Sequence, residues 1–357
     1  MRLTHLTVRG YRNLADLDVA IPASGLALLG PNGHGKTNLL EAVAYPVLFR
    51  SFRGAADGDV AAFGGPGFVV ESTVAALAGE TTLRATWRRG KAKALLLDGA
   101  PVERLAQAAG SWLAVTFLPD DTALASGGAS VRRAYLDRML ALADPRTLRA
   151  LSRYRAAVSQ RNAALRRKDS ASARAFEGPM AQAGAAIVQA RLDWIAAYGE
   201  TLAAELSGLG EFGTPALAYE GHAELADAAA WPAALDATRA GDEARGTTGR
   251  GPHRDDLTLL LNGRPLRSFG STGQQRSAAI ALRLTELETL RAARHDEPGL
   301  ILDDVFAELD GERQQRLATR LMAGGERQVF ISAPRAAELP AALALPIWRV
   351  AHGTVTS

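Results

Sequence analysis

The 357-residue chain has no cysteine, which excludes disulfides, thiol catalysis and thiolate metal centres. Histidine is sparse as well: His5, His34, His222, His253, His295 and His352 stand far apart, without the spacing of a zinc site. No apolar run reaches membrane-spanning length, and the N-terminus lacks a charged-then-apolar leader, so a cytoplasmic location without a membrane partner is expected. Internal repeats and low-complexity tails are missing too; only alanine is enriched. Net charge is just +3, yet a pI near 9.4 leaves room for an anionic partner if the basic residues cluster. The length suits about two domains.

What is present is more decisive. An apolar run, Leu26 to Leu29, leads into Gly30, Pro31, Asn32, Gly33, His34, Gly35, Lys36 and Thr37, followed by the helix-like Asn38, Leu39, Leu40, Glu41, Ala42 and Val43. Strand, glycine loop and helix in that order form a holder for a nucleotide triphosphate. Gly30, Gly33 and Gly35 can adopt dihedrals closed to residues with a Cβ, which turns successive N–H groups around a phosphate at a positively polarised helix start. Lys36 is placed to reach the β and γ phosphates and the Thr37 hydroxyl to ligate Mg²⁺. His34 fills a variable slot and is expected to shape the loop.

Far downstream, Gly299, Leu300, Ile301 and Leu302 run into Asp303 and Asp304, a buried strand ending in two carboxylates. This is the Walker B pattern: Asp303 is expected to hold the metal ion and Asp304 to orient the attacking water. Between the two motifs, Ser271-Thr272-Gly273-Gln274-Gln275-Arg276 opens a long helical pattern through Ile280, Leu284, Leu287 and Leu290. It resembles an ABC-type signature, in which a serine caps a helix whose N–H groups face an anion. In heads of that type the anion is the γ-phosphate held by another subunit, which implies a dimer with nucleotides sandwiched at the interface.

The rest of the chain organises around these motifs. Residues 2 to 21 alternate as two antiparallel strands around a turn at Gly10 to Asn13; Phe68–Val74, Thr82–Trp87 and Ala94–Leu97 extend an antiparallel layer. Val115 to Phe117 reads as a buried strand, and residues 130 to 209 read as a helical arm broken near Gly178-Pro179. A loop-rich stretch containing Gly210, Gly213, Pro215 and Trp231-Pro232 follows, and then a hairpin of Leu257–Leu261 and Pro265–Phe269. A helix from Glu312 to Met322, a strand Gln328 to Ser332 and a last strand Ile347 to Val350 complete the chain. The expected class is α/β: a P-loop ATPase head with a mixed sheet and a flanking antiparallel layer, plus a mainly helical second lobe. Residues 1–118 and 275–357 are assigned to the first lobe and 119–274 to the second.

Basic residues do cluster. Eleven lie between Arg132 and Lys168 against Asp137 and Asp144, a stretch that is either a solvated helical face or a track for phosphates.

Several longer strings are more particular than any Walker motif. Tyr11-Arg12-Asn13-Leu14, the loop through Asn38, Phe117-Leu118-Pro119-Asp120-Asp121, Arg132-Arg133, Leu136-Asp137, Gln160-Arg161-Asn162, Gly251-Pro252-His253-Arg254-Asp255-Asp256-Leu257 and Leu302 to Asp310 together resemble the RecF family over nearly the whole chain. The resemblance implies a bacterial recombination mediator with an SMC-like ABC-type head. Such proteins bind ATP and Mg²⁺, dimerise with ATP, bind duplex or gapped DNA without regard to sequence, and hydrolyse ATP weakly with stimulation by DNA. They work with RecR, RecO and RecA in replication-linked repair and the SOS response. Carried over by motif, Gly30 to Asn38 hold the nucleotide, Ser271, Gly273 and Gln274 form the trans signature, Asp303 and Asp304 form Walker B, and Ala307 to Asp310 form the D-loop. Arg12 and Asn13 fall where related heads touch the nucleotide.

Two departures from the wider pattern matter. Asp304 stands where a glutamate is usual, one methylene shorter, so slow hydrolysis is expected. The histidine often found after the next strand is replaced by Ser332, expected to offer the γ-phosphate a neutral hydroxyl; the region of Asp120 is the candidate for the missing glutamine loop. A transporter ATPase would share the nucleotide motifs but needs a membrane subunit. An SMC tether needs a far longer coiled coil, and a small-molecule kinase has no use for the signature serine.

Overall fold

A computed structural model describes residues 1–77, 79–322, 327–340 and 343–357. The chain divides into two units, Met1–Asp121 with Glu286–Ser357, and Thr122–Thr285.

The first unit holds two sheets. Strands β1 (Arg2–Arg9), β2 (Leu17–Ala20), β4 (Gly67–Ala76), β5 (Gly79–Arg88), β6 (Ala94–Leu97) and β7 (Ala100–Pro101) form an antiparallel sheet in the order β2-β1-β4-β5-β6-β7. Alternation buries Phe68, Val70, Val74, Leu83 and Ala85 on one face, and a register shift between Leu3 and His5 lets both Leu3 and Leu6 join them. The second sheet sets β3 (Gly25–Leu29), β8 (Ala114–Phe117), β12 (Gly299–Asp303), β13 (Val329–Ala333) and β14 (Ile347–Ala351) parallel in the order β14-β3-β13-β12-β8. A short β15 (Thr354–Thr356) adds an antiparallel edge. Every residue of β3, β12 and β13 is buried, which is why these strands read as unbroken apolar runs. Helix α1 (Lys36–Leu48) touches strands of both sheets and is apolar on nearly all sides.

The second unit is mainly helical: α2 (Ala129–Ala143), α3 (Pro145–Arg166), α4 (Ser170–Ala175), α5 (Glu177–Gly208) and α6 (Trp231–Arg245), with a small sheet β11-β10-β9. Its strands are β9 (Pro215–Glu220), β10 (Asp256–Leu261) and β11 (Arg264–Pro265). Tyr154, Met180, Ile187, Val188, Trp231 and Leu235 share one core. A Cβ at Gly184 would lie 2.3 Å from the Trp231 ring, so α5 needs glycine there to pack. Helix α7 (Thr272–Arg294) carries the chain back to the first unit, which ends with α8 (Gly311–Met322) before β13. The division falls inside α7, between Thr285 and Glu286.

Three local expectations are corrected. The arm breaks at Asp144 and after Arg166; Gly178-Pro179 instead sits in the first turn of α5, where a missing N–H costs no helical bond. Asp144 caps α3, accepting from the Arg146 N–H at 2.8 Å, with Pro145 opening the helix. The stretch taken for loop contains β9 and α6: Pro215 occupies a strand's first position, and Pro232 stands in the first turn of α6. Only Arg264 and Pro265 pair with β10, because Pro265 cannot extend the ladder, and Leu266–Phe269 forms a helical turn.

Candidate nucleotide-binding site

Parallel strands deliver their carboxyl ends to one sheet edge. Four loops meet there, after β3, β8, β12 and β13. Because β13 lies between β3 and β12, Ser332 stands in register with Leu28 on one side and Asp303 on the other.

The loop after β3 is built for close approach. Gly30 and Gly35 have φ of 154° and 113°, and a Cβ on Gly30 would lie 2.2 Å from the Val350 carbonyl oxygen. Helix α1 starts at Lys36 with Gly35 as its cap, and among the described residues no side chain caps it, which leaves its first N–H groups able to receive an anion. The buried Lys36 ammonium donates to the carbonyls of Gly30 at 2.6 Å and Pro31 at 3.0 Å and reaches Asn32 Oδ1 at 3.4 Å. Burial pushes Lys36 below the usual lysine range, opposed by Asp304, Asp303 and Glu338. Gly33 takes φ of 80° between Asn32 and His34. His34 is tied to the β14–β15 turn: its Nδ1 accepts the His352 N–H at 3.2 Å and its carbonyl accepts the Gly353 N–H at 2.9 Å.

Asn13 reaches the loop through Nδ2 to the Gly33 carbonyl at 3.3 Å, and its Oδ1 accepts from Asn38 at 2.7 Å. Arg12 reaches α1. Its guanidinium grips both oxygens of the buried Glu41 at 2.8 Å each and donates to the Asp59 carbonyl at 2.8 Å. Ser51 donates to Glu41 as well. Arg12 thus holds α1 one turn beyond Thr37, and its hydrogen bond to Glu41 raises its pKa further. Neither Glu41 nor Ser51 was singled out from the sequence; the signal available was a carboxylate inside an apolar helix, which burial obliges to find a partner.

Thr37 Oγ1 donates to Asp303 Oδ1 at 2.9 Å, across 266 residues of sequence. Ser332 Oγ donates to the same oxygen at 2.7 Å and accepts the Asp304 N–H at 3.0 Å. Asp304 itself has φ of 53°, a left-handed conformation that Asp adopts more readily than bulkier residues. The Ser332 hydroxyl thus meets Walker B, ordering one carboxylate and the backbone of the next. The Thr37 hydroxyl and Asp303 carboxylate are an oxygen pair of the kind a hard divalent cation takes. Among the described residues no group of three or more His, Asp or Glu side chains could hold a metal, so Mg²⁺ would need its other ligands from phosphates and water.

In the other unit, Ser271 caps α7 through a reciprocal box. Its Oγ accepts the Gln274 N–H at 3.2 Å, while Gln274 Oε1 accepts the Ser271 N–H at 3.0 Å. Gly273 lies in that first turn, and Ser271 is exposed. Gln275 Nε2 steadies the preceding turn by donating to the Leu266 carbonyl at 3.0 Å.

Relatives share this chain along almost its full length. The family described as the RecF/RecN/SMC N-terminal domain matches residues 2–352. The DNA replication and repair protein RecF of Frankia alni is 34% identical, covering 99% of each chain, and that of Anaeromyxobacter sp. strain Fw109-5 is 37% identical, covering 90% of each. The chain belongs to the RecF family.

A solved structure described as the recombination mediator RecF with ATP in the RecFOR pathway is similar at TM-score 0.91 and 26% identity, covering 99% of this chain and 96% of that one. A Pyrococcus furiosus Smc head bound to the C-terminal domain of ScpA is similar at TM-score 0.58 and 14% identity, a likeness of fold alone.

A particularly distinctive string of this RecF-family chain, Gly251 to Leu257, knots the second unit together. Gly251 has φ of 129°, and a Cβ there would come within 2.3 Å of the Tyr154 hydroxyl. The Pro252 carbonyl accepts from buried Arg191 at 2.8 Å, His253 Nδ1 meets the Tyr154 hydroxyl at 2.7 Å, and Asp256 pairs with Arg132. Tyr219 donates to Asp255, and Arg133 to the Asp255 carbonyl. The basic stretch is also divided by the fold. Arg132 and Arg161 are buried in ion pairs with Asp256 and Asp242, whereas Arg149 and Arg153 are exposed. In the D-loop segment Asp310 caps α8, accepting the Arg313 N–H at 2.9 Å, and that bond lowers its pKa. The side chain of Glu308 lies outside the described residues.

Proposed function

We propose that this protein is an ATP-hydrolysing, DNA-binding recombination mediator that dimerises with ATP, acts in the cytoplasm with RecR and RecO, and directs RecA to gaps during replication-linked repair and the SOS response. One observation carries the reading: Lys36, Thr37, Asp303 and Asp304 converge at a glycine loop and an uncapped helix start. Names of relatives, and the ATP complexes among similar solved structures, support the choice of nucleotide and process.

The triphosphate is held in cis by the Lys36 ammonium and the N–H groups of Gly33 to Thr37. Mg²⁺, when bound by Thr37 and Asp303, supplies positive charge against the β and γ phosphates. Asp304 orients the attacking water, and its short side chain makes turnover of ATP to ADP and phosphate slow; DNA stimulates it. In trans, Ser271 of a second copy turns its hydroxyl, already accepting one bond, to donate to the γ-phosphate, backed by the start of α7. The closed dimer is therefore favoured only while the triphosphate is intact. Arg12 supports the site by holding α1, while Asn13 and Asn38 set the loop.

Sedimentation of the purified protein alone, with ATP, with ADP and with ATP plus a gapped duplex tests the reading. Dimers with ATP alone, and a heavier complex with DNA, are expected. A monomer at every ATP concentration that saturates binding would overturn it.

A further inference from the structure

Two neighbouring turns in the first unit share one design. The Gly65 N–H donates to the Ala62 carbonyl at 2.8 Å, and Gly64, third in that turn, has φ of 72°. The Lys91 N–H donates to the Arg88 carbonyl at 3.0 Å, and Gly90, again third, has φ of 76°. This is the type II pattern, which needs glycine at the third position and projects the residue at the second. Here those second residues are Phe63 and Arg89. The turns are joined: the Arg89 N–H donates to the Pro66 carbonyl at 2.9 Å, and Gly67 pairs with Arg88 where β4 begins and β5 ends.

Phe63 is completely exposed, at 107% of the reference area, on a turn anchored by the Ala62 N–H to the Gly10 carbonyl at 2.8 Å and by a bridge between Tyr11 and Ala61. A scattered exposed apolar residue needs no account. A phenyl ring held out by a tight, pinned turn beside a cationic one is different. Among the described residues, the side chains of Arg88, Arg89 and Lys91 make no ion pair or hydrogen bond, so the turn joined to that of Phe63 carries three cations without an internal counter-charge. An apolar pocket in a partner protein would take the ring but has no need of the cations. Nucleic acid takes both, a base face on the ring and phosphates on the cations.

We infer that Phe63 is a base-stacking residue, and that Arg88, Arg89 and Lys91 hold the flanking phosphates, so that this face binds DNA where a base is open to stacking. The inference rests on the proposed DNA-binding function. It extends that function from phosphate contacts to recognition of an unpaired or terminal base.

Full-length protein with ATP and Mg²⁺ is titrated with two probes, a duplex carrying a single-stranded gap and a duplex closed at both ends by hairpin loops linked through non-nucleotide spacers. Phe63→Ala is expected to weaken the gapped probe about 5- to 100-fold, the range for loss of one base–aromatic stack, and to leave the closed probe unchanged. Phe63→Trp should retain gapped binding, and 5-iododeoxyuridine in the gap should photocross-link to Phe63. Replacing Arg88, Arg89 and Lys91 by Ala should weaken both probes and reduce the slope of log affinity against log salt by about 2 to 3. ATP binding should be the same in all variants. Equal affinity of wild type and Phe63→Ala for the gapped probe, or an equal loss on both probes, overturns the inference. Failure of the wild type to bind either probe overturns the DNA-binding function itself.

Discussion

Ser332→Ala is the sharpest probe of the Walker B arrangement, because one hydroxyl makes two bonds there. The substitution removes the donor at 2.7 Å from Asp303 and leaves the Asp304 N–H, now 3.0 Å from Ser332 Oγ, without its acceptor. A hydrogen bond to a carboxylate contributes about 1.5–3 kcal/mol, and a stranded donor costs about 1–3 kcal/mol when water cannot reach it. Asp304 is only half-buried, so water recovers part of the second term. A net loss of about 2–3 kcal/mol follows, seen as a fall of several degrees in the melting of the first unit. The functional loss is more specific. Thr37 still donates to Asp303, so the carboxylate stays near its place but loses one of its two fixed partners. Loss of a partner that orients a metal ligand typically costs 10- to 100-fold, so the half-saturating Mg²⁺ concentration for ATP turnover should rise about tenfold or more. The rate constant should fall with it, through the freed backbone of Asp304, while ATP affinity through Lys36 changes little. Steady-state turnover measured across a Mg²⁺ series reads all three. Ser332→Thr, which keeps the hydroxyl and suits a strand, should restore the Mg²⁺ requirement. A wild-type Mg²⁺ requirement and turnover in Ser332→Ala would refute the reasoning.

Ser271→Arg should leave ATP affinity intact and abolish ATP-dependent dimers in sedimentation; a variant that still pairs would remove the trans role of that residue. Asp304→Asn should slow hydrolysis at least tenfold and accumulate the ATP-bound dimer, read by phosphate release and by sizing, whereas unaltered release would assign the water to another side chain. Asp242→Ala should destabilise the second unit by about 3–5 kcal/mol, because it strips a fully buried partner from the fully buried Arg161, and denaturant melting that moves by less than about 1 kcal/mol would contradict that estimate.

The parts of this site that were legible in the sequence are those whose chemistry is local. Gly30, Gly33 and Gly35 announce a backbone no other residue accommodates, and Ser271 with Gln274 three residues on is a cap that closes on itself. The antiparallel layer was legible for the same reason, since alternation along one strand needs no knowledge of its partner. Strand β9 and helix α6 were hidden because Gly210, Gly213, Pro215, Gly221 and Pro232 interrupt residues 210–232, and each proline stands at an element's start, where it punctuates rather than prevents structure.

Ser332 and Glu41 belong to another category, since their roles depend on which elements become neighbours. In sequence Ser332 is one hydroxyl in an apolar run; it meets Asp303 and Asp304 only because β13 inserts between β3 and β12. Arg12 is expected at the nucleotide by analogy of position; that it also meets the buried Glu41 on α1, which a two-pronged guanidinium satisfies best, is visible only once the elements are neighbours. The string Gly251 to Leu257 makes the converse point. Its histidine and paired aspartates have the composition of a catalytic motif, but each polar group has a structural partner on α2, α3, α5 or β9. Distinctiveness in sequence therefore marks demanding geometry, and only the partners decide whether that geometry serves chemistry or holds a scaffold.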